Sequence, residues 1–202
     1  MSRGCDPTKG HREGRVWAMM LDLSTGRNTT TATVMNDWRF LCDKVYRKFD
    51  AISPWDAGRY HDDASMDRIR KNVWESDLAE LKPTGIGYMP TAFPGFSWDN
   101  LRLAKPGSTM IARRKGEFYW RQFAIFKELG IRTVFVGMFD EVDEGTAIYK
   151  VANVTPVGKH FVIYEGLPSD WYLKLTGAAT RMIRGETPMS KTIPQELPFS
   201  KE

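Results

Sequence analysis

The chain has 202 residues, of which 42% are hydrophobic and 27% are charged. This composition is enough for the buried core of one domain and excludes a disordered chain or a coiled coil. The longest uncharged apolar run, residues 133–139, is far shorter than the roughly 20 residues of a membrane helix, so no membrane partner is expected. The net charge of +4 comes from interspersed signs, apart from Arg113, Arg114 and Lys115, so no nucleic-acid partner is expected either.

Residues 1–14 are polar and carry no apolar core followed by a small-residue cleavage site. They predict a flexible N-terminal segment without a signal peptide. The two cysteines, Cys5 and Cys42, stand in no spacing that suits zinc, so no metal is expected. The chain also lacks the glycine-rich motifs that hold nucleotides, and no cofactor is expected.

Apolar runs and helical patterns alternate along the chain. Buried strands are predicted at 16–23, 51–55, 86–93 and 132–139. Amphipathic helices are predicted from Thr31 to about residue 49, and at 65–81, 116–129 and 170–185. These elements predict an α/β domain over residues 15–186, followed by a proline-containing tail at 187–202.

Strands that alternate with helices imply right-handed crossovers and a parallel sheet. The pattern fits either an open doubly wound sheet or part of an eight-fold barrel, and periodicity does not separate the two. In both architectures the functional side chains lie at the carboxyl ends of the strands. One joint is unusual, because residues 44–49 lead from a helix into a strand without the Gly, Asn or Pro that normally ends a helix.

The segment FDEVDEGT, residues 139–146, places four carboxylates within five residues at a strand end. Crowded carboxylates cannot all ionise easily, so one can act as an acid while its partner remains a base. Glu141 and Glu144 are the natural pair. Their spacing does not fix the distance between the carboxyl groups, so a retaining or an inverting outcome stays open. The alternative is a solvated acidic loop or a divalent-cation site.

Aromatic side chains beside carboxylates and amides suit a sugar, which has an apolar face and a hydroxyl rim. The loop FPGFSWDNL, residues 93–101, has this chemistry, and SPWDAGRY, residues 53–60, repeats it. The alternative is a loop that packs its own aromatic rings. Arg113 and Arg114 are expected to be a solvated pair at the approach to a helix. The predicted substrate-binding residues are Asp22, Trp55, Asp56, Arg59, Phe96, Trp98, Asp99, Asn100, Asp140 and Asp143.

The motifs FDEVDEGT, FPGFSWDNL, SPWDAGRY and RRKGEFYWRQ, in combination, resemble the family 99 glycoside hydrolases, the endo-α-mannosidase relatives often labelled xylosidase/arabinosidase. The resemblance spans residues 15–186 and implies a (β/α)8 TIM barrel. Such barrels have about 250 residues, so this chain would supply four to five of the eight units. The resemblance therefore implies a truncated barrel with an internal deletion near residues 44–49.

The family motif Glu-x-x-Glu-Gly-Thr matches Glu141, Glu144, Gly145 and Thr146. By resemblance, Glu141 is the base that activates the sugar 2-hydroxyl to form a 1,2-anhydro intermediate. Glu144 is then the acid and later the base toward the leaving group. The mannosidases have Trp-His between the two glutamates, whereas this chain has Val142 and Asp143, which leaves the substrate open.

The expected function is hydrolysis of an oligo- or polysaccharide, with a carbohydrate-binding or catalytically inactive barrel fragment as the alternative. A partial barrel exposes strand edges and apolar helix faces. We therefore expect a second copy of the chain to cover them. Relatives of the family are commonly exported, but residues 1–14 contain no export signal, so the sequence predicts no compartment.

Overall fold

A computed structural model describes residues 20–22, 27–29, 31–34, 47–155, 160–195 and 197. Within this part the chain forms two compact units. The first contains the described residues up to Asp56, together with Arg68–Thr91 and Thr133–Phe135. The second contains Ala57–Asp67, Ala92–Arg132 and the described residues from Val136 onward. No helix in the described part of the chain is long and apolar enough to cross a membrane.

The first unit begins with a hairpin. Strand β1 (Met20–Asp22) pairs antiparallel with β2 (Arg27–Thr29), which places Asp22 opposite Arg27. The sequence predicted a parallel strand over 16–23 followed by a loop, so the pairing is a correction. An apolar run indicates that a strand is buried but not which neighbour it pairs with. Residues 16–19 and 23 lie outside the described part of the chain.

A three-stranded parallel sheet follows in the same unit. Strand β3 (Thr31–Val34) pairs with β4 (Ala51–Pro54), and β4 pairs with β5 (Gly87–Tyr88). The predicted parallel pairing is confirmed here. The helix predicted from Thr31 is wrong over Thr31–Val34, where β-branched residues favour an extended chain. The rest of that helix up to residue 46, and most of the joint at 44–49, lie outside the described residues.

Helical segments occupy residues 63–81, as predicted. They are α1 (Asp63–Ile69), a π-helical turn (Arg70–Trp74) and α2 (Glu75–Leu81). The first turn is held by Asp62, whose Oδ1 accepts a hydrogen bond of 2.7 Å from the Ser65 amide.

The remaining strands are short. Strand β6 (Thr91–Ala92) pairs with β9 (Phe135–Val136), and β7 (Phe96–Ser97) pairs antiparallel with β8 (Met110–Ile111). The strands predicted at 86–93 and 132–139 are therefore too long, and β7 lies in a segment predicted as loop. At the end of the first of these segments a side chain, that of Gln122, binds the Phe93 backbone in place of a neighbouring strand.

Two helices form the core of the second unit, and both were predicted. They are α3 (Glu117–Glu128), which follows a 3-10 turn (Arg114–Gly116), and α4 (Trp171–Arg184). Their facing rings include Tyr119 and Tyr172, whose centroids lie 6.3 Å apart. The largest buried side chains on these two helices are Phe118, Tyr119, Trp120, Phe123, Phe126, Tyr172, Leu175 and Met182.

Gln122 on α3 fixes the chain that leads to β7. Its side chain is fully buried, and its Oε1 accepts hydrogen bonds from the Phe93 amide (3.0 Å) and the Tyr60 hydroxyl (2.8 Å). Its Nε2 donates to the carbonyl oxygens of Phe93 (2.8 Å) and Phe118 (3.0 Å). All polar atoms of this amide are thereby satisfied, as burial requires.

The predicted α/β barrel is present only in part. Within the described residues the strands form one three-stranded sheet and three two-stranded sheets, and these do not close into a barrel.

Candidate active site

The carboxylate turn, residues 139–147, folds tightly back on itself. The Glu141 carbonyl oxygen accepts hydrogen bonds from the amides of Thr146 (3.1 Å) and Ala147 (2.9 Å). A further bond of 3.2 Å joins the Gly145 amide to the Val142 carbonyl. The sequence left open whether an extended path or a turn separates Glu141 from Glu144. The hydrogen bonds show that it is a turn.

Gly145 makes this turn sterically feasible. Its φ is +63°, a region that L-residues with a Cβ rarely adopt. A Cβ at this position would lie 2.6 Å from Val162 Cγ2. Both the conformation and the close packing therefore favour glycine.

Glu144 is half-buried, and its pKa is raised above the ordinary value. Burial is the largest cause because it disfavours the charged form, and the negative charges of Glu141 and Asp143 add to the effect. Glu141 is oriented within the turn, since its Oε1 accepts a hydrogen bond of 3.0 Å from the Asp143 amide. One glutamate thus has the environment of an acid beside a second carboxyl group.

The loop after β7 lies against the carboxylate turn. The Ser97 amide donates a hydrogen bond of 2.8 Å to the Glu144 carbonyl oxygen, and the Asn100 side-chain amide donates to Asp143 Oδ1. Two of the predicted substrate-binding residues, Asn100 and Asp143, are therefore in direct contact. The fold brings the aromatic loop and the carboxylates together.

Phe96 and Trp98 form an edge-to-face pair with ring centroids 4.9 Å apart. Phe96 is buried, whereas Trp98 is partly exposed. The Arg102 guanidinium lies over the Trp98 ring, 4.7 Å from its centroid. The loop thus packs its own aromatic rings, which was the alternative considered from the sequence, while part of the Trp98 ring stays accessible.

Asp99 organises the same loop. Its Oδ1 accepts hydrogen bonds from the Thr109 hydroxyl (2.5 Å) and the Thr109 amide (2.9 Å), and its Oδ2 accepts one from the Gly107 amide (2.5 Å). These bonds, that of the Thr109 hydroxyl most of all, lower the pKa of Asp99 below its ordinary value against the opposing effect of burial. In this structure the carboxylate binds its own loop.

A cleft of about 250 Å³ adjoins the carboxylate turn. It shares Ser97 with the contact to Glu144, and its wall includes Val162, which packs on Gly145. The other lining residues include Asp99, Met110, Arg113 and Ile163. None of the four carboxylates of the turn lines this cleft, so the cleft neighbours the turn and does not enclose Glu141 and Glu144.

Arg113 corrects a sequence expectation. It is 2% exposed and is not half of a solvated pair, whereas Arg114 forms an ion pair of 2.8 Å with Asp63. Arg113 Nη2 donates hydrogen bonds of 2.8 Å to the carbonyl oxygens of Gly145 and Ala147. Nothing in the local sequence distinguishes the two arginines, because burial depends on distant partners.

Of the five remaining predicted site residues, Asp140 belongs to the carboxylate turn and the other four lie elsewhere. Arg59 and Asp140 are exposed in the second unit. Trp55 and Asp56 belong to the first unit, where Asp56 is buried and accepts a hydrogen bond of 2.9 Å from Trp74 Nε1. The Trp55 ring lies 6.2 Å from that of Phe135. Asp22 is the last residue of β1 in the first unit.

The described residues contain no group of three or more His, Cys, Asp or Glu side chains placed to hold a metal ion. The crowded acids of the carboxylate turn are therefore not arranged around a common centre in this structure.

Comparison with known proteins shows the fold. No family model matches the chain, and no curated protein matches it. The chain is similar to two solved structures of the GH99 endo-α-mannosidase from Bacteroides thetaiotaomicron, each with a TM-score of 0.63. One, a complex with BIS-TRIS-Propane, is 22% identical over 77% of this chain and 46% of that chain. The other structure is 20% identical, and the match covers 82% of this chain and 47% of that chain.

The chain resembles GH99 endo-α-mannosidases in fold. This confirms the resemblance that the four motifs predicted, and the TIM-barrel architecture is that of the matched structures. The chain spans about half the length of the structures it matches.

Proposed function

We propose that this chain is a glycoside hydrolase-like protein that cleaves an O-glycosidic bond in an oligo- or polysaccharide. The observation that carries the proposal is the tight turn that holds both Glu141 and the half-buried Glu144, where burial and the neighbouring carboxylates raise the pKa of Glu144. A general acid needs a pKa nearer to neutrality than an ordinary carboxyl group has. The fold shared with GH99 endo-α-mannosidases supports the same chemistry.

In the proposed reaction, Glu141 accepts the proton of the sugar 2-hydroxyl while that oxygen attacks the anomeric carbon. Protonated Glu144 donates its proton to the departing glycosidic oxygen. The 1,2-anhydro sugar is then opened by a water molecule that Glu144, now a carboxylate, deprotonates, and Glu141 returns its proton to O2. Both carboxyl groups end in their starting states, and the steps use only the two side chains and water.

The substrate class follows from the surface beside the pair. The partly exposed Trp98 ring and the Asn100 amide offer an apolar face and a polar group to a sugar ring. The matched structures are endo-α-mannosidases, so α-mannosides are the first substrates to test. Val142 and Asp143 stand where the mannosidases have Trp-His, so the panel also includes xylosides and arabinosides.

The decisive variant is Glu144→Gln, which keeps the size of the side chain and removes its acid. We expect a loss of turnover of about 100-fold or more, with glycan affinity within a few-fold of wild type. Glu186→Gln, an exposed glutamate after α4, is the matched control and retains activity. Wild-type turnover by Glu144→Gln would disprove the assignment.

A second candidate is a carbohydrate-binding protein without turnover. The chain spans only 46% and 47% of the matched structures. A catalytic barrel draws its site residues from several strands, so a chain with fewer strands favours binding without turnover. Calorimetry with the same panel distinguishes the two. A measurable Kd with no hydrolysis of any glycoside would select the binding function.

A further inference from the structure

Arg113 is held in an unusual environment for a cation. Its guanidinium carbon lies 4.6 Å from the ring centroid of Tyr172 and 5.0 Å from that of Tyr164. Nε and Nη1 have no hydrogen-bond partner among the described residues. Burial lowers the pKa of Arg113, although the negative charge of Glu165 and the neighbouring tyrosines favour its charged form. Such a buried charge disfavours folding unless its contacts compensate for the loss of water.

Besides these ring contacts, the hydrogen bonds of Arg113 all go to one segment. Arg113 Nη2 donates hydrogen bonds to the carbonyl oxygens of Gly145, which directly follows Glu144, and Ala147, which ends the turn. The Tyr164 hydroxyl lies 3.1 Å from the Ala147 carbonyl oxygen and 2.6 Å from that of Tyr149. Arginine and tyrosine therefore bind the carbonyl oxygens of three alternate residues, Gly145, Ala147 and Tyr149, in the segment that leaves the turn.

Glu144 is attached to this support through one peptide bond. Its own carbonyl is bonded by the Ser97 amide, and the next carbonyl, that of Gly145, is bonded by Arg113. The aliphatic part of the Arg113 side chain packs closely on Gly95, just before β7. A Cβ added to Gly95 would lie only 2.7 Å from Arg113 Cγ. The arginine thus joins the two segments that meet at Glu144.

We propose that Arg113 is a positioning residue that, with Tyr164, fixes the backbone after Glu144 and thereby holds the Glu144 carboxyl in its half-buried place. This rests on the proposed function, because it assigns the arginine a role in keeping Glu144 an acid. A residue that only filled the core would support the fold without affecting the titration of Glu144.

The test uses two variants and one matched control in the full chain. Tyr164→Phe removes the hydroxyl that binds the loop but keeps the ring beside Arg113. Arg113→Lys keeps the positive charge but cannot bond two carbonyls through one planar group. Tyr119→Phe removes another buried tyrosine hydroxyl, whose hydrogen-bond partner is Thr176 Oγ1 at 3.1 Å and not a carbonyl of residues 145–149.

Two measurements are made on each protein, and neither needs a substrate. Amide hydrogen exchange reports on residues 144–149, and the carboxyl carbon signal of Glu144 reports its titration by NMR. We expect roughly three- to tenfold faster exchange over 144–149 in Tyr164→Phe and more in Arg113→Lys. We also expect the pKa of Glu144 to fall toward its ordinary value, with Tyr119→Phe unchanged in both measurements.

Unchanged exchange and titration in Tyr164→Phe would overturn the proposal, as would equal changes in Tyr119→Phe. If Arg113→Lys does not fold, Tyr164→Phe decides alone. An inactive wild-type chain would reject the proposed function, whereas the titration would still decide the positioning role. In an active chain, kcat falls in both variants while KM stays close to wild type.

Discussion

The Ser97 amide donates a hydrogen bond of 2.8 Å to the carbonyl oxygen of Glu144. With the bond from Asn100 to Asp143, this contact joins the aromatic segment, which begins at β7, to the turn that carries both candidate catalytic carboxylates. It is made by backbone atoms only, so it does not depend on the side chain at either position. The environment of Glu144 is therefore set by how the two segments meet, and the predictions below test that environment.

Asp143→Asn removes one of the negative charges that raise the pKa of Glu144. We expect the Glu144 pKa to fall, so that the general acid loses its proton at a lower pH. The basic limb of the pH–rate profile then moves to lower pH. The amide oxygen of the new residue can still accept the hydrogen bond from Asn100. Asp140→Asn, an exposed neighbour, is the control, and an equal shift in that variant would contradict the assignment.

Glu144→Gln should stabilise the protein near neutral pH. The folded-state pKa of Glu144 is raised, so its ionisation costs stability. That cost is absent below the unfolded-state pKa and complete above the folded-state pKa. Because glutamine does not ionise, we expect Tm to rise by on the order of 1–3 °C at pH 7, and the gain to vanish below about pH 4. A gain that persists in acid would show that ionisation is not the cause.

Gly145→Ala should destabilise the second unit in two ways. The φ of +63° costs about 1–2 kcal/mol for a residue with a Cβ, and the clash with Val162 adds roughly 1–3 kcal/mol. Gly166→Ala is the matched control, since its φ is +79° but no atom lies within 4 Å of the new Cβ. Urea unfolding measures the loss in the free energy of unfolding for both variants.

The clash component can be isolated by a second substitution. Val162→Ala in the Gly145→Ala background removes the methyl group that the new Cβ would meet. We expect part of the lost stability to return. Equal losses for Gly145→Ala and Gly166→Ala, with no rescue, would mean that backbone strain alone accounts for the glycine.

Asp99→Asn should loosen the loop that ends at Thr109. The two carboxylate oxygens accept three hydrogen bonds. Asparagine replaces one of these oxygens by an NH2 group, which cannot accept a hydrogen bond and faces the N–H or O–H donors instead. We expect the amides of Gly107 and Thr109 to exchange several-fold faster. Ser108→Ala, an exposed change in the same loop, should leave them unaffected.

The pH dependence of that loop has a defined sign. The pKa of Asp99 is lowered in the folded protein, so the stability it contributes is present above the ordinary aspartate pKa. It is lost as the pH falls through the lowered folded-state value. The protection factors of the Gly107 and Thr109 amides, which correct for the slower intrinsic exchange at low pH, should therefore fall in acid for wild type. The same acid response in Asp99→Asn would show that another group is responsible.

The sequence by itself determined three of the four predicted helical regions and the family resemblance. The helices at 63–81, Glu117–Glu128 and Trp171–Arg184 follow from apolar spacing within each segment, which is a local property. The motif order predicted a fold that the comparison with GH99 structures confirmed. The choice of Glu141 and Glu144 as a catalytic pair also came from residue types and their spacing, and it stays a prediction.

Only the tertiary structure decided how those carboxylates are held. The tight turn depends on Gly145 packing against Val162, and the burial of Arg113 depends on Tyr164 and Tyr172. The antiparallel β1–β2 and β7–β8 pairs likewise depend on which segments meet. Hydrophobic periodicity reports the environment of a segment but not its partner, so Arg113 and Arg114, adjacent and chemically identical, could be distinguished only by the contacts that the folded chain makes.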